Sequence, residues 1–487
     1  SVNMKERLDF SCAVFNADGQ LAANAPHMPV HLGSMDSSVE TVIAQNDTIT
    51  EGDVYVLNAP YNGGTHLPDI TVVTPVFIDG ALSYWVASRG HHADVGGMAP
   101  GSATPRATHV DEEGVLIDNF KLIDGAIDRD RLRETEMREV LTNHPYPCRN
   151  PDENMADLRA QVAANEKGAA ELRKMVTLFG RDVVDAYSRH VQDNAEESVR
   201  RVIDRLSDCE ASYDTDNGQT IKVKITVDKA ARRATVDFTG TSGVKKNNFN
   251  APFPVTRAAV LYVFRIMVEG HIPMNAGCLK PIDIIVPDGC MLRPKYPAAV
   301  IAGNTETSQH VTNCLLQALG AISNAQGTMN NVSYGNARVQ NYETVCSGAP
   351  AGRMNDGTMF PGAHGVHTHM TNTRLTDPEI LEMRYPVVLE EFSIRRGSGG
   401  DGAVRGGDGT RRIMRFTEDM TFAILGSHRT RPPAGLQEGR DGELGRTEIR
   451  RRNGYVETLS PCDQTEVTSG DAMILTTPTP GGFGRKS

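Results

Sequence analysis

The stretch Gly63-Gly64-Thr65-His66-Leu67-Pro68-Asp69 and its counterpart Ser88-Arg89-Gly90-His91-His92-Ala93-Asp94-Val95-Gly96-Gly97 decide how the first quarter of this chain folds. Each carries a His-x-x-Asp unit on a glycine-lined turn, and the leading histidines, His66 and His91, stand 25 positions apart. Between them, residues 70–78 and 82–86 are apolar and β-branched, with Asp79-Gly80 separating the two runs. That pattern predicts two antiparallel strands joined by a tight turn, because Asp-Gly adopts the positive φ angles that a short hairpin loop requires. A hairpin brings its two ends back together. His66/Asp69 and His91/Asp94 are then expected at one mouth, where imidazole nitrogens mix with carboxylate oxygens. Such a set suits Zn²⁺, Mn²⁺ or Fe²⁺ better than Ca²⁺ or Mg²⁺. The plainer reading of each unit is a hydrogen-bonded loop histidine beside a turn-forming aspartate. The crowding of glycines favours the site, since a metal and its substrate need close approach to the backbone.

At 487 residues the chain is long for one core, and ordinary domain sizes imply about three or four packed units. A hydrophobic fraction of 39% with 46 Gly and 26 Pro describes a loop-rich globular protein. The formal charge of −11 argues against nucleic acid or an anionic membrane as the main partner. No run approaches the roughly 20 apolar residues of a spanning helix, and the best, 258–268, is cut by Arg265. Eight cysteines are scattered without a C-x-x-C pair, which fits reduced thiols in a cytoplasmic enzyme. Because Ser1 opens directly onto Glu6-Arg7-Leu8-Asp9, the amino terminus reads as a truncated or processed end.

The expected class is α+β, a multi-domain mixed α/β chain. It divides into a β-rich metal-binding region (1–127), a helical region (128–215), a central α/β region (216–390) and a small C-terminal β-rich region (391–487). Strands are expected at 10–15, 54–58, 70–78 and 82–87. Long amphipathic helices are expected at 154–179 and 181–206, the second carrying Glu196/Arg200 and Glu197/Arg201 at i,i+4 spacing. A hairpin over 219–238 turns near Lys229, and helices cover 255–268 and 307–325.

Three further motifs invite chemistry. Arg396 to Gly409 is glycine-rich but lacks the Gly-Lys-Ser/Thr ending and following helix of a phosphate loop, so successive turns explain it better and no ATP site is found. His364, His367 and His369 cluster without a carboxylate at ligand spacing, which favours substrate contact or plain loop structure over a metal. Asn304-Thr305-Glu306-Thr307-Ser308 opens a helix, where Thr and Ser cap well and the free amides can face an anion. His31, after a proline-rich bend, is a candidate to line the same cleft as the His-x-x-Asp units.

Several segments carry a resemblance. They are Glu6-Arg7-Leu8-Asp9-Phe10-Ser11-Cys12-Ala13, Pro29-Val30-His31-Leu32-Gly33-Ser34-Met35, the two His-x-x-Asp loops, and Asn150-Pro151-Asp152-Glu153-Asn154 with Asp157-Leu158-Arg159-Ala160-Gln161. Gly303 to Ser308, His369 to Arg374 and Arg405 to Gly409 complete the set. Over essentially the whole chain these resemble the hydantoinase B / oxoprolinase family. Two departures stand out: family members usually carry a longer segment before the Glu-Arg-x-Asp signature, and the similar acetone carboxylase α subunits are considerably longer.

The resemblance implies a subunit that works with a hydantoinase A-type, ATP-binding partner in a hetero-oligomer, acting on a small cyclic amide such as a hydantoin, 5-oxoproline or a lactam. It implies a divalent transition metal (Mn²⁺ or Zn²⁺) held by His66, Asp69 and His91 with Asp9 as fourth ligand. His92 and Asp94 would then orient a ligand or accept a proton. On that reading the partner phosphorylates the ring amide and the metal activates the attacking water. The rivals are an ATP-dependent ketone carboxylase of the acetone or acetophenone type, and a non-catalytic subunit with a structural metal.

Overall fold

The computed structural model describes residues 1–486 apart from Pro26 and Ser102. Strands β1 (Phe10–Asn16), β2 (Leu21–Asn24), β3 (Val54–Leu57), β4 (Asp69–Ile78), β5 (Ala81–His91) and β6 (Phe120–Ile123) form one sheet, ordered β2-β1-β5-β4-β3-β6. Every neighbouring pair in it is antiparallel. The β4–β5 hairpin turns at Asp79-Gly80, whose φ angles of 52° and 75° are those the turn chemistry demanded.

Beyond the turn the register is not the simple continuation of a two-residue loop. Ile78 opposes Ala81 and Phe77 opposes Leu82, but Val76 opposes Tyr84, so Ser83 is the extra residue of a β-bulge. From there the pairing runs unbroken to Asp69 opposite His91.

Strand alternation sorts the sheet into two faces. Tyr55, Leu57, Val73, Trp85 and Ala87 pack with Met35, Val39 and Val42 of the Met35–Gln45 helix. Val54, Val56, Ile70 and Val72 pack with Met155 and Leu158 of the Pro151–Phe179 helix. That helix starts with a proline in its first turn and with Asn150 capping the Glu153 amide. Its Gln161 amide donates to the Ile70 and Ser88 carbonyls, fastening the helix across β4 and β5. The Arg181–Arg205 helix follows after Gly180, and both expected Glu/Arg pairs form along it, at 2.6 and 3.2 Å.

A second sheet holds Cys209–Asp214, Thr220–Asp228, Arg233–Asp237 and Ile282–Ile285, the last parallel to its neighbour. The helices Phe253–Ile266 and Ser308–Ala318 share its core. The carboxy-terminal part is a pair of sheets sharing one core, in which Val332, Tyr334, Phe422 and Ile424 meet Met414, Phe416, Met473 and Leu475.

Two expectations shift. Strands Asn331–Gly335 and Gln340–Glu343 join a sheet with Met420–Leu425 and Cys462–Val467, so a division at 390/391 separates strands that pair. The helix expected over 307–325 ends at Ala318, and residues Gly303–Thr307 before it form a wide π turn. There Ser308 and Thr305 do not cap amides; their hydroxyls donate back to the Asn304 and Ile301 carbonyls.

The bulge makes a direct prediction. Deleting Ser83 removes the extra residue, so Leu82 and Tyr84 become neighbours opposite Phe77 and Val76, and the ladder still sets Asp69 opposite His91. Inserting one residue between Tyr84 and His91 instead, or forcing Ser83 into the ladder, would exchange the faces of the strand. The deletion variant is expected to keep its bound metal, measured by elemental analysis. Loss of metal from a folded deletion variant would contradict the register given to the hairpin.

Candidate metal centre

Three strands deliver the site side by side. Phe10 pairs with Gly90, so Asp9 stands just beyond β1 beside His91, and the His91 amide donates to the Asp9 carbonyl at 3.0 Å. On the other side Asp69 is the direct partner of His91. His91 is therefore flanked by two carboxylate residues in one row across the sheet. His66 arrives from the loop before β4, where a turn bonds the Asp69 amide to the His66 carbonyl. The backbone at Gly64 makes that loop possible: a side chain there would press within 2.3 Å of the Asn58 carbonyl oxygen.

His66, Asp69 and His91 are each buried and offer ligand atoms all within 4.8 Å of one another. His66 Nδ1 lies 3.0 Å from Asp69 Oδ2, and His91 Nδ1 lies 3.4 Å from Asp69 Oδ1. Asp9 Oδ2, at 3.9 Å from His91 Nδ1, stands at the edge of this set rather than inside it. Asp69 Oδ2 is held by the Thr65 hydroxyl at 3.1 Å and by His31 Nε2 at 3.1 Å, while His31 Nδ1 faces Ser11 Oγ at 2.9 Å. Burial alone would raise the Asp69 pKa, but the neighbouring His66 and His31 outweigh it and hold the carboxylate well below its usual range. His91 is shifted down by burial, only partly countered by Asp69 and Asp9, so it stays neutral and able to ligate.

The residues present fit a divalent cation. Among the described residues, His66 Nδ1, Asp69 Oδ1 and His91 Nε2 are buried without a well-directed hydrogen bond; the first two make only the contacts within the cluster, at 3.0 Å to Asp69 Oδ2 and 3.4 Å to His91 Nδ1. Buried polar groups are rarely left so, and two imidazoles with one carboxylate are a donor set for Zn²⁺, Mn²⁺ or Fe²⁺.

The other candidates fall elsewhere. His92 follows His91 and points to the opposite face, where Asn154 and Gln161 of the Pro151–Phe179 helix occupy its two nitrogens at 3.0 and 3.1 Å. Asp94 is a loop clamp, bonded to the Gly96 and Arg149 amides and ion-paired with Arg149 at 2.9 Å. Neither side chain joins the cluster, and the hairpin mouth gathers three of the four residues first placed there. His364 is half exposed and accepts the Asp408 amide, while His369 is buried against Tyr262. The glycine-rich loop packs backbone on backbone: a side chain at Gly407 would lie 1.9 Å from the Ala363 oxygen.

Sequence reasoning did not connect two groups to this centre. Tyr342 stacks on His91, with ring centroids 4.7 Å apart and planes at 15°, and its hydroxyl donates to Asn331. The Asn304 amide sits 3.4 Å from His66 Nε2. Asn304 lies in a noted motif, but nothing local ties Tyr342 to a histidine some 250 positions away.

With this geometry in view, comparison with known proteins is decisive for the family. Residues 1–486 match the description of hydantoinase B/oxoprolinase, and the chain belongs to that family. It is 41% identical over 497 residues to a 5-oxoprolinase of Dictyostelium discoideum, covering all of this chain and 38% of that protein. The chain thus spans about two-fifths of the length of the curated relatives it matches first. Its fold is that of the ATP-dependent caprolactamase from Pseudomonas jessenii, with TM-score 0.85, 23% identity, and 99% and 85% of the two chains covered. The nucleotide-free acetone carboxylase structure is as similar, with TM-score 0.85 at 16% identity over 100% of this chain and 73% of the other.

Two outcomes follow. Purified without chelator, the chain is expected to carry about one divalent transition metal, lost in His66→Ala and Asp69→Ala but kept in His92→Ala and His364→Ala. Full occupancy in both of the first pair, by elemental analysis, would overturn the ligand set. Acid should also weaken the fold. Burial lowers His310 to about 3 and His369 to about 4, against roughly 6.5 in an unfolded chain. Their folded-state pKa values are depressed, so stability present above pH ~6.5 is lost as pH falls, by about 2 kcal/mol per histidine at pH 5. Urea unfolding at pH 7.5 and 5 measures this; equal stability would contradict it.

Proposed function

We propose that this chain is the metal-bearing part of an ATP-dependent enzyme that opens a cyclic amide ring. The observation that carries the reading is the buried His66/Asp69/His91 set, whose ligand atoms lie within 4.8 Å of one another and three of which make no well-directed hydrogen bond. Support comes from the names of its similar proteins, a 5-oxoprolinase and an ATP-dependent caprolactamase, since 5-oxoproline and caprolactam are both cyclic amides.

Ring amides are poor electrophiles because resonance delocalises the nitrogen lone pair into the carbonyl. Phosphorylation of the amide oxygen, assigned here to a hydantoinase A-type ATP-binding partner or region, creates a good leaving group at that carbon. A divalent cation at His66, Asp69 and His91 supplies Lewis acidity, lowering the pKa of water and polarising oxygen. The chain's own residues supply order. Thr65 and His31 both engage Asp69 Oδ2, which leaves Oδ1 aimed at the cluster in one orientation. Tyr342 fixes the plane of the His91 ring, and Asn304 lies against His66. With each member of the set no more than 5% exposed, bulk water is kept from the centre.

The decisive experiment separates ring opening from nucleotide cleavage in the assembly with its ATP-binding partner. His91→Ala is expected to lower ring opening of 5-oxoproline by about three orders of magnitude or more, while ATP cleavage continues uncoupled. The chain alone is expected not to bind ATP in calorimetry. Bicarbonate-dependent turnover without ring opening in the unaltered protein would make it a carboxylase instead. Joint loss of both activities, in proportion to lost complex, would make the metal structural.

A further inference from the structure

Arg7 is fully buried, and among the described residues no carboxylate lies within 4.0 Å of its guanidinium. Two of its nitrogens are used: Nη1 donates to Asn3 Oδ1 at 3.0 Å and to the Tyr342 carbonyl, and Nε faces the Arg374 carbonyl at 3.4 Å. Nη2 has no partner, and neither has Asn3 Nδ2 on the equally buried Asn3. An unpaired buried charge is strongly unfavourable, so a guanidinium left with neutral contacts and idle N–H groups is a site lacking its counterion.

Its surroundings point the same way. Thr344 meets His367 at 3.1 Å and Thr373 at 2.5 Å, and His367 Nδ1 is without a partner. His367 is half-buried as a residue, although its Nδ1 is buried. Burial, and then Arg7 itself, lowers His367 to about 4, so the imidazole is neutral and adds no second charge. This group of side chains thus offers one positive charge and a surplus of donors.

It also adjoins the metal centre. The Arg7 guanidinium carbon lies 5.0 Å from the Tyr342 ring centroid, and that same ring stacks on His91. Asp9 and Asp69 together balance a dication, which leaves the Arg7 charge uncompensated.

We propose that Arg7, with Asn3 and the Thr344–His367 pair, forms a subsite for the carboxylate of a substrate whose reacting carbon lies at the metal centre. One positive charge among neutral donors matches a monoanion; a phosphate dianion would leave a net negative charge buried. The proposal rests on the cyclic-amide reading only for the ring that bears the carboxylate.

The test uses the metal-loaded chain, with 5-oxoproline, 2-pyrrolidinone (the same ring without its carboxylate), acetate and phosphate as probes. The unaltered chain is expected to bind 5-oxoproline at least tenfold tighter than 2-pyrrolidinone in calorimetry, and to melt higher in acetate than in chloride at equal ionic strength. Arg7→Gln is expected to erase both preferences and leave 2-pyrrolidinone binding unchanged. Should Arg7→Gln fail to fold, Asn3→Asp serves, since it supplies the missing carboxylate internally: it is expected to raise the melting temperature while abolishing the acetate effect. An acetate effect that Asn3→Asp removes, with no binding of either ring, upholds the subsite and overturns the cyclic-amide reading. Retention of the 5-oxoproline preference in a folded Arg7→Gln or Asn3→Asp chain, or a larger shift with phosphate than with acetate, overturns the subsite.

Discussion

The centre depends on the pairing of Asp69 with His91 across the β4–β5 hairpin, and that pairing depends on a single bulged residue, Ser83. A strand has a period of two, so a one-residue slip exchanges its faces. Were Ser83 paired in the ladder instead of bulged, the two-residue turn at Asp79-Gly80 would carry Asp69 to a position opposite Gly90, which has no side chain to offer. With the bulge, Asp9, His91 and Asp69 fall in one row on the face that looks toward the Met35–Gln45 helix. Everything else about the centre adds to this row: His66 from the loop before β4, His31 from the short Pro29–Leu32 helix, and Tyr342 from a distant hairpin.

The row is costly to bury, and the fold offsets the cost with fixed dipoles and charges. Arg89, two residues before His91 on the same face, is fully buried, and its guanidinium donates to Thr71, Ser34 and Ser38. The Ser34 and Ser38 hydroxyls sit at the start of the helix packed against the sheet, so the packing that forms the core also sets the electrostatics of the centre. On the opposite face, Gln161 and Asn165 donate to carbonyls of β4 and β5. A helix that donates side-chain amides into a sheet resists sliding along it, and this keeps the register, and therefore the row, in place.

The same economy runs through the carboxy-terminal half. Its glycines lie where one backbone meets another: Gly407 against Ala363, Gly482 against Asp401, Gly399 against Gly406. The hairpin of the strands around 331–343 carries Tyr342 to both His91 and Arg7. The candidate metal centre is built by the amino-terminal sheet and closed by the carboxy-terminal half, so its integrity reports on the packing between them.

Much was legible in the residues themselves. The hairpin, its Asp-Gly turn, the two long helices and the company of His66, Asp69 and His91 all follow from local chemistry: β-branched periodicity, turn propensity and spacing. The placement of Asp9 rested on family resemblance, and strand alternation would also have separated His91 from His92, since neighbours on a strand face opposite ways. The bulge at Ser83 was not legible, because nothing in its local chemistry distinguishes it from a paired residue. Nor were the clamp on Asp94 by Arg149, the π turn before Ser308, or the union of strands 331–343 with 420–467. Those are set by which surfaces pack together over long separations. The guanidinium of Arg7 belongs with them: its type was plain in the sequence, but only the tertiary structure decided that, among the described residues, no carboxylate meets it.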